Sequence, residues 1–159
     1  MDNVAAVDTL TEVQRVLAES SDAQNPTAEE MLDLFDEVRH IAVIGLSRDP
    51  AKPARRVPSY LAAKGYDVIP VNPNADRILG REAYDTLTDV PFPVDLVIVF
   101  RPSDDAGRFV TEAAARPERP AIWLQTGIRA DEEIAAARAD GLFAVQDLCA
   151  FRVHRVLAS

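Results

Sequence analysis

From residue 40 onward, short apolar runs alternate with longer segments of helical period. Ile41–Leu46, Asp67–Val71, Val94–Phe100, Ala121–Gln125 and Leu142–Gln146 are compact and rich in β-branched residues. That is the pattern of strands buried on both faces. Between them, Arg56–Lys64, Ser103–Arg116 and Asp131–Asp140 are each long enough for a helix. Gly65 and Gly141 stand where helix C-caps belong, and Ser103 stands as an N-cap with Asp104 and Asp105 at the positive end of that helix dipole. Pro58 conflicts with a helix starting near Ala54 and is compatible with a start nearer Val57. The alternation predicts an α/β fold, a doubly wound parallel (Rossmann-like) sheet with right-handed crossovers. The connection "NPNADRILGREAYDTLTDVPFP" lacks a long helical period, so a loop with a short extended piece and one helical turn is expected. Connections of that length inside a compact domain are often functional.

Upstream, "NPTAEEMLDLFDEVRH" reads as a helix behind Pro26, with Thr27 and Glu30 in a capping box and Met31, Leu34, Phe35 and Val38 as its buried stripe. Before it, Val4, Val7, Leu10, Val13 and Leu17 trace a weaker amphipathic helix, followed by the linker "ESSDAQN". Residues 1–25 thus form an acidic, helical or partly disordered extension, and residues 26–159 the domain. The terminal helix either packs on a neighbouring subunit or frays, as termini commonly do.

Charge sharpens this division. The formal net charge of -9 lies wholly in residues 1–37, where Arg15 faces ten carboxylates, while the remainder sums to zero. The overall acidity therefore says nothing about the ligand of the main domain, and it argues against nucleic-acid binding, which wants a broad basic face. No long uncharged apolar run suggests a membrane span, and the acidic N-terminus does not read as a signal peptide, so a cytoplasmic location is expected. One cysteine, Cys149, and two isolated histidines, His40 and His154, supply neither an internal disulfide nor a zinc constellation.

In a doubly wound sheet, ligands sit beyond the C-terminal strand ends. After the first strand, Gly45 and Ser47 let backbone N–H groups approach an anion near a helix start. The G-x-G-x-x-G fingerprint of NAD sites is absent, with Ser at 47 and Pro at 50, and so is a Walker A loop. Instead Arg48, Lys52, Arg55 and Arg56, offset by Asp49, give the turn a charge of +3, a large phosphate-binding capacity. The alternative is an ordinary solvated loop. After the second strand, Asn72 and Pro73 stand where an NAD site offers a carboxylate to the ribose. That absence suits a ribose carrying an extra phosphate, although Asn-Pro is also a plain turn signal. Phe100 and Arg101 end the third strand, and Gln125, Thr126 and Gly127 the fourth, where small or polar groups suit a narrow channel. Trp123 reads as core, and Cys149 as structural. No strand end gathers the histidine, cysteine or paired carboxylates that acid–base or nucleophilic chemistry needs, so no catalytic or metal residues are assigned.

Four stretches together, "IAVIGLSRDPAKPARRVPSYLAAKGYDVIPVNP", "ILGREAYDTLTDVP", "VDLVIVFRP" and "IWLQTGI", resemble the small CoA-binding proteins with a Rossmann-like domain, relatives of the CoA-binding domain of the succinyl-CoA synthetase α subunit. The resemblance covers roughly residues 28–149. It implies that Gly45, Leu46 and Ser47, with Lys52, Arg55 and Arg56, hold the phosphates of coenzyme A, and that Asn72 and Pro73 lie near the adenosine. The pantetheine arm would run past Phe100 and Arg101 toward Gln125 and Gly127. Ala54 departs from the serine common in that family, and "CAFRVHR" departs from its Cys-Pro-x-Ile-Glu ending, where Asp147 and Cys149 are kept and the proline and the acidic residue are lost. The reading that follows is a binder of CoA or an acyl-CoA without catalysis of its own. The alternatives are an NAD(P)-dependent oxidoreductase, or a regulatory or assembly subunit for an acyl-CoA enzyme, with a homo-oligomer equally open.

Overall fold

A computed structural model gives the fold of residues 3–158, with side chains described from Asp8 onward. In chain order it runs α1 (Asn3–Leu17), α2 (Ala28–Glu37), β1 (His40–Ile44), α3 (Pro53–Ala63) and β2 (Asp67–Val71). A small hairpin of β3 (Arg77–Ile78) and β4 (Arg81–Glu82) follows, then a 3₁₀ turn at Leu87–Asp89. The chain continues through β5 (Leu96–Val99), α4 (Ser103–Ala114), β6 (Ala121–Leu124), α5 (Asp131–Ala139), β7 (Ala144–Val145) and α6 (Ala150–Leu157). The main sheet is parallel with the order β2-β1-β5-β6-β7, the doubly wound arrangement expected from the alternating pattern.

Alternation along each strand feeds two cores. Ile41, Val43, Leu96, Ile98 and Trp123 face α1, α2, α3 and α6, while Ala42, Ile44, Val97, Val99 and Ile122 face α4 and α5. Trp123 is fully buried and its indole N–H donates to the Leu148 carbonyl at 2.8 Å. The capping box of α2 forms as expected, Thr27 Oγ1 accepting from the Glu30 N–H and Glu30 Oε1 from the Thr27 N–H. Leu34 in the predicted buried stripe is only partly covered.

Several elements differ from the sequence reading. Helix α3 starts three residues before Arg56, with Pro53 in its first turn and Pro58 inside it. The N-cap of α4 is Pro102, so Ser103 is the first helical residue, and its hydroxyl donates to the Gly127 carbonyl. The C-terminal helix α6 has a strong apolar face that "CAFRVHR" hides, because its buried residues Ala150, Val153 and His154 include only one large aliphatic.

Both sheet edges are closed. On β2, Tyr84 pairs across Val71, and the missing N–H of Pro70 is tolerated because β2 is an edge strand. Beyond β7, the Asn25 side chain imitates a peptide group: its Oδ1 accepts from the Gln146 N–H and its Nδ2 donates to the Gln146 carbonyl, both at 3.0 Å. Arg138 donates to the Ala144 carbonyl beside it and pairs with the buried Asp22. The leader is therefore tied to the far edge of the sheet. Val13 and Val16 of α1 are buried in the core shared with α2 and α6, while the side chains of Val4 and Val7 lie outside the described residues.

Two outcomes follow for stability. Deleting residues 1–24 removes Val13, Val16 and the Asp22 pair, and burying two valines contributes at least about 3 kcal/mol. The truncated chain should therefore melt roughly 6 °C or more below the full chain, and an unchanged calorimetric midpoint would contradict the docking of α1. The second concerns His154, whose Nδ1 meets the Tyr60 hydroxyl at 2.8 Å inside a ring of Phe35, Tyr60 and Tyr66. Burial, with a smaller contribution from the charge of Lys64, holds its pKa below the ordinary value of 6.5. Below that value the unfolded chain binds a proton that the folded chain refuses, so stability declines as pH falls from 6.5 toward the depressed folded value. Urea melts between pH 8 and 5 should show this decline, and His154→Gln should flatten it.

Candidate functional site

The crossovers leave β1 and β5 in opposite directions, α3 covering one face of the sheet and α4 the other, so a crevice opens beyond their C-terminal ends. A cleft of about 750 Å³ occupies it. Its floor is built from strand ends: the Gly45 N–H donates to the Val71 carbonyl at 2.9 Å, and the Phe100 N–H to the Ile44 carbonyl at 2.9 Å. Gly45 has φ +85°, and a Cβ there would stand 3.2 Å from both the Phe100 carbonyl and the Arg101 stem. Only glycine suits that turn.

The loop after β1 is tied to α3 through Pro58. A proline inside a helix leaves the carbonyl four residues earlier without its partner, and its ring pushes that carbonyl outward. Here that carbonyl belongs to Ala54, and it accepts the Ser47 N–H at 3.0 Å. The Ser47 hydroxyl accepts from the Asp49 N–H, and the Asp49 carboxylate from the Ala51 N–H. Asn72 bridges to the neighbouring loop, donating from Nδ2 to the Leu46 carbonyl at 2.9 Å and accepting the Asn74 N–H at 2.8 Å.

Of the sequence-selected residues, Gly45, Ser47, Lys52, Asn72, Pro73, Phe100 and Arg101 line this one cleft, with Arg48 beside them. Leu46 is fully buried and contributes backbone only. Arg55 and Arg56 lie on α3 outside the lining; Arg56 is exposed, and Arg55 keeps a buried Nε with no hydrogen-bond partner. Gln125 and Gly127 are engaged elsewhere. Gln125 Oε1 accepts from the Ala150 N–H at the start of α6, and its Nε2 faces the Cys149 thiol at 3.7 Å. The Gly127 N–H donates to the Asp147 carboxylate at 2.6 Å, and the other oxygen of that carboxylate accepts from the Ser21 N–H and hydroxyl. These hydrogen bonds outweigh the desolvation of Asp147 and hold its pKa below the usual carboxylate value.

The cleft also includes residues that the sequence reading missed. Asp85 and Thr86 come from the long connection already singled out for its length, and Arg108, Phe109 and Glu112 from the second and third turns of α4. Asp105 holds Arg108 at 2.7 Å and Arg101 at 3.2 Å, so two guanidinium groups stand together at the cleft's α4 side. The spacing of Arg101, Asp105 and Arg108 at i, i+4 and i+7 was the available signal. Among the described residues no group of three or more metal-ligating side chains forms. No helix there is long and apolar enough to cross a membrane.

The chain is 33% identical over 133 residues to the uncharacterized protein YneT of Bacillus subtilis, covering 84% of this chain and 98% of that one. It is 32% identical over 112 residues, 69% of its length, to acetate–CoA ligase (ADP-forming) II of Archaeoglobus fulgidus, of which the match spans only 16%. The solved structure of the Thermus thermophilus protein ID.343 superposes with a TM-score of 0.77 at 37% identity, covering 83% of this chain and 99% of that one. The family model for the CoA binding domain matches residues 39–155, and the chain belongs to that family.

Proposed function

We propose that this chain binds coenzyme A or an acyl-CoA in the cleft between the ends of β1, β2 and β5, as a binding module without catalysis of its own. The observation that carries the reading is the convergence of Gly45, Ser47, Lys52, Asn72, Pro73, Phe100 and Arg101, from three separate loops, on one cleft of about 750 Å³. That volume lies in the usual range for cofactor sites. Arg48 and Lys52 enter no ion pair among the described residues, so their charge is available to phosphate. The paired Arg101 and Arg108 offer a second cationic locus across the cleft. Two separated phosphate loci suit a 3′-phosphorylated ADP better than a bare diphosphate. In this reading Arg55 and Arg56 assist from the rim at most, and the thiol end of the ligand stops near Phe100, short of the Gln125–Gly127 loop whose polar groups are engaged.

Calorimetric titration tests the assignment. CoA should bind at least about tenfold more tightly than dephospho-CoA, as expected when a charge-assisted phosphate contact contributes on the order of 1.5–3 kcal/mol. Equal affinities would remove the 3′-phosphate from the recognition, and tight NADH binding without CoA binding would replace the reading by a nicotinamide one.

A second outcome concerns the loop's anchor. Pro58→Ala restores a helical N–H that competes for the Ala54 carbonyl and loosens the grip on Ser47. The variant should melt at or above the temperature of the parent, because an interior proline costs a helix about 3 kcal/mol, yet bind CoA several-fold more weakly. Unchanged affinity, by the same titration, would show that the loop keeps its shape without the anchor.

A further inference from the structure

We infer that the face formed by α2, α3 and α6 is a two-fold interface with a second copy of this chain, closed by opposite charge. The exposed side of α2 carries Glu29, Asp33, Asp36 and Glu37 in one stripe, and none of them enters an ion pair among the described residues. The exposed side of α3 carries Arg56, and its C-cap is Lys64, likewise outside any ion pair, with the Lys64 ammonium 5.5 Å above the Tyr60 ring between them. Tyr60 meets Phe151 of α6 edge-on at 4.7 Å, and Arg155 lies over that ring at 5.6 Å. One helix thus presents carboxylates and its neighbours present cations on half-buried aromatic rings.

The geometry fits a symmetric pair. Glu29 to Glu37 and Arg56 to Lys64 are each eight residues apart, so both stripes are about 12 Å long. Both helices pack on the same face of the sheet, sharing one core with α6. Helix α6 touches both α2 and α3 and stands between them, and on its α2 side lies a shallow depression of about 180 Å³ lined by Leu32, Asp36, Tyr66, His154 and Leu157. A two-fold axis over α6 sets the α3 stripe of each copy against the α2 stripe of the other, so both contacts form at once. The acidity concentrated in residues 1–37 then has a partner surface within the same molecule type.

Sedimentation velocity at about 100 μM protein tests this. The full chain should be dimeric in 20 mM salt, with a dissociation constant at least about tenfold weaker in 500 mM salt, where charges are screened beyond a few ångströms. Arg56→Glu/Lys64→Glu should be monomeric, and so should Glu29→Lys/Asp33→Lys/Glu37→Lys, which turns the α2 stripe net positive. Mixed together, the two variants should form a heterodimer, because every acidic stripe then faces a basic one. That gain cannot come from misfolding. A full chain that stays monomeric in low salt, a dimer indifferent to both reversals, or a mixture that fails to pair would each overturn the interface.

Discussion

Parallel pairing of β1 with β2 on one side and β5 on the other governs both the fold and the place where a ligand can sit. The register sets Ile41 beside Val68 and Leu96, and Ile44 beside Val71 and Val99, so three strands end level. Strict alternation then sends Ile41 and Val43 to one core and Ala42 and Ile44 to the other. A slip of one residue would exchange those faces. Because right-handed crossovers must leave β1 and β5 on opposite faces, no helix can cover the gap between their ends. The cleft is a consequence of connectivity before any polar residue is chosen.

What the cleft can bind depends on how the loop after β1 is held, and here one irregularity supports another. A loop with a single glycine and several cations cannot wrap an anion as a glycine-rich turn does. It is shaped instead by bonds to its surroundings: Gly45 to Val71, Leu46 to Asn72, and Ser47 to Ala54. The last exists because Pro58 removes the helical competitor for the Ala54 carbonyl. Local conflict inside a helix is commonly offset by a gain elsewhere, and the gain falls on the residues nearest the proposed phosphates. Asn72 has a part in the same frame, since both ends of its amide are spent on backbone.

Strand periods, glycine caps and the capping box were legible in the sequence because each is a local signal. The fold class and the part of the cleft lining at residues 45–52, 72–73 and 100–101 follow from those signals plus the rule that ligands gather at strand ends. What escaped was set by contacts distant along the chain. Nothing near Asn25 announces that its amide will stand in for a neighbouring strand 121 residues away. The start of α3 was displaced because Pro58, read as a boundary, is accommodated inside the helix. Arg55 and Arg56 belong to the same basic run as Arg48 and Lys52, yet the first helical turn rotates them off the cleft, and a charge count along the chain carries no rotation.

The far end of the site shows how position and availability can separate. Gln125 and Gly127 stand where the strand-end rule places ligand contacts, beyond β6. Their polar groups nevertheless close the molecule on itself. Gln125 satisfies the first turn of α6, whose N-cap Cys149 makes no side-chain cap of its own. Gly127 is held by Asp147, a residue with φ 54° that keeps its conformation through bonds to Ser21 and Gly127. A left-handed aspartate costs backbone energy, and the Ser21 contacts that offset it come from the leader. The leader and α6 thereby consume the donors of the β6 end, and the open part of the crevice contracts to the β1, β2 and β5 half. Under the proposed function, a ligand of coenzyme A's length would fold back within the cleft or leave its thiol end exposed at Phe100.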